Sequence, residues 1–214
     1  MPAENASSPA GAATLRAGNA IATLRRFTRA REPEEHCELC NARLASSHRH
    51  LLDMNNGQAV CSCYACAMRF ANVLDGRFKL MPREPRALPG FRLSDEAWEG
   101  FSLPINLAFF FRSSRAKKMM AFYPSPAGPM ESLLTLNAWE DLVRENTLLA
   151  EMQSDVEALL VNRVGGAHRY FIAPMDACYE LVGLIRMHWR GLSGGEAVWR
   201  EIEAFFNRME AASR

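Results

Sequence analysis

A chain of 214 residues with 49% hydrophobic and 23% charged side chains has a globular composition, which excludes wholesale disorder and fibrous repeats. Its 25 basic and 24 acidic residues leave a net charge of +1, so no global field draws it to nucleic acid or to an acidic membrane. The longest apolar stretch, residues 103–111, is broken by Pro104 and Asn106 and falls far short of the roughly 20 residues that span a bilayer.

In chain order, residues 1–12 read as a mobile tail rich in Ala, Ser, Gly and Pro. Glu4 stands where a signal peptide would be basic, and no apolar run of signal length follows. The expectation is a cytoplasmic protein without membrane insertion. Residues 13–31 read as a basic helix: Leu15, Ile21, Leu24 and Phe27 form a loose apolar face, and five arginines occupy the remainder. With the total charge balanced, those arginines read as the solvated face of a packing helix rather than as an anion site. Pro33 ends it.

Residues 36–81 hold five of the six cysteines and read as a metal-binding module that closes on a short strand over 78–81. A linker punctuated by Pro82, Pro85, Pro89 and Gly90 follows, and residues 91–214 form a second, α+β domain. Ser94 is the expected N-cap of a short helix through Trp98 and Phe101. Residues 105–112 and 118–123 read as one hairpin around a basic turn, and 156–163 with 168–172 as another around Gly165-Gly166. Residues 136–152 read as helical. Cys178, Leu181, Val182, Ile185 and Trp189 recur at i, i+3, i+4, i+7 and i+11, one face of a helix after Pro174. Ser193 with Glu196 has capping-box spacing for a last helix, along which Val198, Ile202, Phe205 and Met209 mark the apolar face. An antiparallel sheet packed by helices is therefore expected.

The most specific motif is Cys37-Glu-Leu-Cys40 followed by Cys63-Tyr-Ala-Cys66. A two-residue gap lets each pair fold into a knuckle that points both thiolates at one ion. Four thiolates from two knuckles complete a tetrahedron about 2.3 Å from the metal. In a cytoplasmic protein that spacing favours a metal over disulfides, and Zn2+ is the expected ion. Asn41 follows the first knuckle at a place where left-handed backbone is often needed. The second knuckle runs directly into a helical stretch, so the module resembles a treble-clef or ribbon-like zinc finger. Such a site is closed and its default role is structural.

Cys61, His48 and His50 lie in the same segment as possible additional ligands. Cys61 reads equally as a packed thiol on the strand entering the second knuckle, and the two histidines read as exposed or outer-sphere groups. The four-cysteine cage also suits iron, either rubredoxin-like or as an iron–sulfur cluster, although rubredoxin-type knuckles usually carry Gly where Asn41 and Ala67 stand. The order Cys-x-x-Cys, His-x-His, Gly turn, Cys-x-x-Cys resembles metal-finger nucleases of the His-Asn-His type. Ala67 cannot ligate the catalytic cation of such an enzyme, and the next candidate, Asn72, lies further along the helix. The basic surplus of a nucleic-acid enzyme is also missing.

Two glycine- and proline-rich segments remain. Residues 121–129 read as a stiff loop with Tyr123, Ser125 and Gly128 as possible binding groups. Ser193, Gly194 and Gly195 open the last helix and could offer backbone N–H groups to an anion, but they lack the lysine of a P-loop. Cys178 sits on an apolar helix face and reads as a buried, inert thiol. Asp155 with Glu157, and Asp176 with Glu180, read as caps and surface charges. No catalytic residue is assigned.

Six blocks together resemble a bacterial family of about this length with no assigned function: residues 36–40, 48–53, 61–66, 122–128, 155–160 and 189–195. Its genes tend to sit beside those of actinobacterial-type nickel–iron hydrogenases. The resemblance implies an accessory or maturation role through protein–protein interaction, with hydrogenase subunits or maturation factors as partners, or electron transfer if the metal is iron.

Overall fold

The computed structural model describes residues 34–71, 76–132 and 136–213. The tail over 1–12, the basic helix over 13–31 and Asn72 fall outside the described residues. From His36 onward the chain forms one compact unit, built on two antiparallel sheets packed by helices, the expected α+β class.

The first sheet has strands β1 (Arg49–Asp53), β2 (Gln58–Ser62) and β3 (Phe78–Leu80) in the order β2-β1-β3. Gly57 closes the β1–β2 turn at φ 72, donating its N–H to the Asp53 carbonyl at 2.7 Å. Helix α1 (Tyr64–Ala71) leaves β2 directly.

The second sheet has strands β4 (Arg86–Ala87), β5 (Leu107–Ser113), β6 (Lys118–Ser125), β7 (Gly128–Ser132), β8 (Glu157–Asn162) and β9 (Arg169–Pro174). Their order is β4-β9-β8-β5-β6-β7. Both expected hairpins are present, β5–β6 and β8–β9. The proline-punctuated linker contributes β4, which pairs with β9. Among the described residues four α-helices complete the second part: α2 (Asp95–Glu99), α3 (Leu136–Glu145), α4 (Met175–His188) and α5 (Gly195–Ala212). Ser94 caps α2 as expected, its side chain accepting from the Ala97 N–H. Among the described residues no helix is long and apolar enough to cross a membrane.

Both faces of this sheet are covered. Successive strand residues point to opposite sides. Leu107, Phe109, Ala158, Leu160, Phe171 and Ala173 turn toward α4 and α5. Ala108, Phe110, Leu159, Val161 and Ile172 turn the other way, toward Trp98 of α2 and Trp139 of α3. Two-sided burial explains why the central strands read as continuous apolar runs; all six residues of β8 are buried.

Three local expectations are corrected. Residues 121–129 are not a stiff loop but the β6–β7 hairpin, turning over Pro126 and Ala127. Prolines are tolerated there because Pro124 faces Pro129, and the β5–β6 register begins only at Phe122, so neither imide nitrogen is asked to donate. The helical stretch over 136–152 breaks at Asn146, followed by a 3-10 turn over Thr147–Glu151. The Asn146 amide leaves the helix pattern to bond Arg92 in both directions, donating to its carbonyl and accepting from its N–H at 2.8 Å each. The last helix is capped by Gly194 at φ 85, not by Ser193, and no capping box forms. Gly194 lies so close to Trp189 and Val198 that a Cβ would stand 2.8 Å from the valine methyl, and Ser193 instead turns its carbonyl to the Trp199 indole N–H.

Candidate metal centre

The first knuckle is a tight reversal. Asn41 takes the left-handed φ of 60 expected of it, its N–H bonds the Cys37 carbonyl at 2.7 Å, and the Cys37 N–H bonds Ala42 at 2.8 Å. The second knuckle is the entry to α1. There the Cys66 N–H reaches the Cys63 sulfur at 3.4 Å, and the Ala67 N–H reaches the Cys63 carbonyl at 2.9 Å. Glu38 ties the two together: its N–H donates to the Cys61 carbonyl at 3.0 Å, and its carboxylate accepts from the Cys61 N–H at 2.7 Å.

These contacts gather Cys37, Cys40, Cys63 and Cys66 so that their Sγ atoms all lie within 4.8 Å of one another. Cys40 and Cys63 are 3.7 Å apart, sulfur to sulfur. A tetrahedron with a bond of about 2.3 Å has ligand–ligand edges of about 3.8 Å, so this pair already stands at the separation that one bound ion requires. Cys37 is buried, Cys63 and Cys66 are half-buried, and Cys40 is exposed.

The thiols do not share their protons evenly. Burial pushes the Cys37 thiol up, but N–H donors of Cys63, Leu39 and Cys40 outweigh it and bring it from 9.0 to about 6. Cys66 goes the other way, pushed up to about 12 by burial and by the three neighbouring thiols. Each thiolate formed makes the next harder to form. A divalent cation at the centre removes that penalty, which is why such clusters release protons when they load.

Cys61, His48 and His50 do not join this set. Their ligand atoms lie within 4.8 Å of one another as a separate group. Ala67 is fully buried. Of the other candidate binding residues, Tyr123 and Ser125 line a cavity of about 500 Å³ together with Pro104, Trp189 and Trp199. The Ser125 hydroxyl is spent on its own turn, accepting from the Ala127 N–H at 3.1 Å and donating to the Gly128 carbonyl at 2.8 Å. Gly128, Ser193, Gly194 and Gly195 stand outside the wall of that cavity. Cys178 is fully buried on α4, which pushes its thiol up, as expected of an inert side chain.

One residue with a larger part than its sequence position suggests is Asp176. Rather than serving as a surface charge, its carboxylate meets His50 Nδ1 at 2.7 Å. The partners are 126 positions apart, and only the docking of the two sheets brings them together. Asp155 instead accepts the Ser114 N–H at 2.8 Å, and Glu180 pairs with Arg208 at 2.9 Å.

Fold and site together define an α+β protein with a four-cysteine module that can hold a metal ion. The chain belongs to a family of unknown function, DUF5947, whose sequence profile matches residues 36–213. No curated protein and no solved structure matches it.

Proposed function

We propose that this protein is an accessory or assembly factor whose four-cysteine centre holds Zn2+ as a structural ion and whose work is done through protein contacts. The observation that carries this reading is the closed donor set: four cysteine sulfurs within 4.8 Å of one another fill a tetrahedron and leave no position for a substrate. The partner we assign is a nickel–iron hydrogenase subunit or maturation factor, supported by the family resemblance of the six sequence blocks. Tyr64 and Met68, one turn apart and exposed on α1, give the module an apolar face for such a partner. The test is affinity capture with the full chain from hydrogenase-producing cells, scored for hydrogenase subunits and maturation factors. Their enrichment, lost in the Cys37→Ser/Cys40→Ser variant, supports the reading; their absence from the wild-type capture refutes the partner.

A second reading keeps the cage and changes the ion. Iron accepts the same four thiolates, and the exposed Cys40 gives an electron a short path to the surface. Visible thiolate-to-iron bands that bleach on reduction would select it over zinc, and a colourless protein would reject it.

A further inference from the structure

We propose that His48, His50 and Cys61 form a second metal site, separate from the four-cysteine centre, that takes a divalent transition-metal ion of the zinc class and leaves one coordination position open.

The strand register makes the site. His50 and Cys61 are directly opposite each other on β1 and β2, where side chains point to the same face. His48 precedes His50 by two residues, and the two rings meet edge to face with centroids 4.7 Å apart. One ligand atom from each of the three residues falls within the same 4.8 Å limit that the four-cysteine centre satisfies.

The hydrogen bonds around the two histidines point to the same use. His50 Nδ1 lies 2.7 Å from the Asp176 carboxylate, and His48 Nδ1 lies 3.0 Å from the Ala45 carbonyl. Both partners are oxygen acceptors, so each ring donates from Nδ1, and Nε2 is the nitrogen through which it would ligate a cation. A carboxylate or a carbonyl behind the far nitrogen is how protein sites orient metal-bound imidazoles and raise their basicity. The two nitrogens and one thiolate are borderline-soft donors that suit zinc, cobalt or iron rather than magnesium or calcium.

Three protein ligands leave a tetrahedral ion one position short. A polar cleft of about 360 Å³ adjoins the two histidines, walled by Ser46, Ser47, Pro82, Arg83 and Glu84 with Asp176. Water, or a small donor entering that cleft, would complete the coordination. The four-cysteine centre has no such position, so the two sites differ in kind: one closed and the other exchangeable. This inference does not rest on the structural reading of the cysteine centre.

The test is cobalt(II) titration of the full chain under reducing conditions, followed by absorption and by metal analysis after dialysis. The wild type should retain a second equivalent beyond the four-cysteine ion. His48→Ala and Cys61→Ser should each lose that equivalent while keeping the first and an unchanged melting temperature. Azide should shift the bands of the second ion and leave those of the first alone. Saturation of the wild type at a single equivalent overturns the proposal, and so does a second equivalent retained in both His48→Ala and Cys61→Ser. Failure of His48→Ala to fold leaves the nearly isosteric Cys61→Ser and the azide shift on wild-type protein to decide.

Discussion

Asp53 holds three pieces of chain with one carboxylate. Its Oδ1 accepts the Asn55 N–H at 3.0 Å and so shapes the β1–β2 turn, while Oδ2 accepts from Arg77 Nε at 2.8 Å, at the entry to β3. The Arg77 guanidinium holds its carboxyl below the usual aspartate range, against the opposing effect of burial. A folded-state pKa lower than the unfolded one contributes stability that is present above the ordinary value of about 3.9 and lost as pH falls through the lowered one. Melting temperature followed against pH should therefore show an acid limb that Asp53→Asn weakens, together with a lower melting temperature at neutral pH. An unchanged profile in that variant would mean that the pair with Arg77 does not stabilise the turn.

At the scale of elements, the β1–β2 hairpin carries both candidate sites: its leading end and its partner strand present His48, His50 and Cys61, and its exit delivers Cys63. The first knuckle is held to it through Glu38, and an ion bound by the four cysteines would tie the two further. Structural zinc contributes on the order of 10 kcal/mol to small modules, more than three short strands supply on their own. Cys37→Ser/Cys40→Ser should therefore release the ion and raise amide exchange across residues 36–62 while the second sheet keeps its protection. Equal protection in variant and wild type would mean that the module folds without metal.

These elements also mark what sequence can and cannot show. The four cysteines were legible because ligand spacing is local: each knuckle is fixed by a two-residue gap, and the first also by Asn41. The β5–β6 and β8–β9 hairpins and the helix over Cys178 to Ile185 were legible because their periods are local too. The end of β6 and the whole of β7 were not, because proline reads as a turn signal although a strand tolerates it wherever its missing donor goes unneeded, and that depends on the pairing of Pro124 with Pro129. Nor was the contact of Asp176 with His50, or the separation of Cys61 from the other thiols. Both depend on register and on docking between distant segments, which no spacing encodes.

For the molecule as a whole, the second sheet is a layer with apolar side chains on both faces, and its two central phenylalanines test that arrangement. Phe109 faces α4 and α5, and Phe110 packs against Phe101 at 5.0 Å and Trp139 at 5.9 Å. Both are fully buried. Phe109→Ala and Phe110→Ala should each cost about 3–5 kcal/mol in denaturant unfolding, because each leaves a cavity in its own layer. A near-neutral result for either would contradict the two-sided core.

We propose that the four cysteines hold one metal ion that the fold depends on. It is tested most directly by elemental analysis with an absorption spectrum, on protein purified without air or chelators, for the wild type and for Cys37→Ser/Cys40→Ser. Zinc in the wild type, no visible bands, and loss of one equivalent in the variant are expected. Wild-type protein that carries no transition metal, or a variant with unchanged metal content, would contradict it.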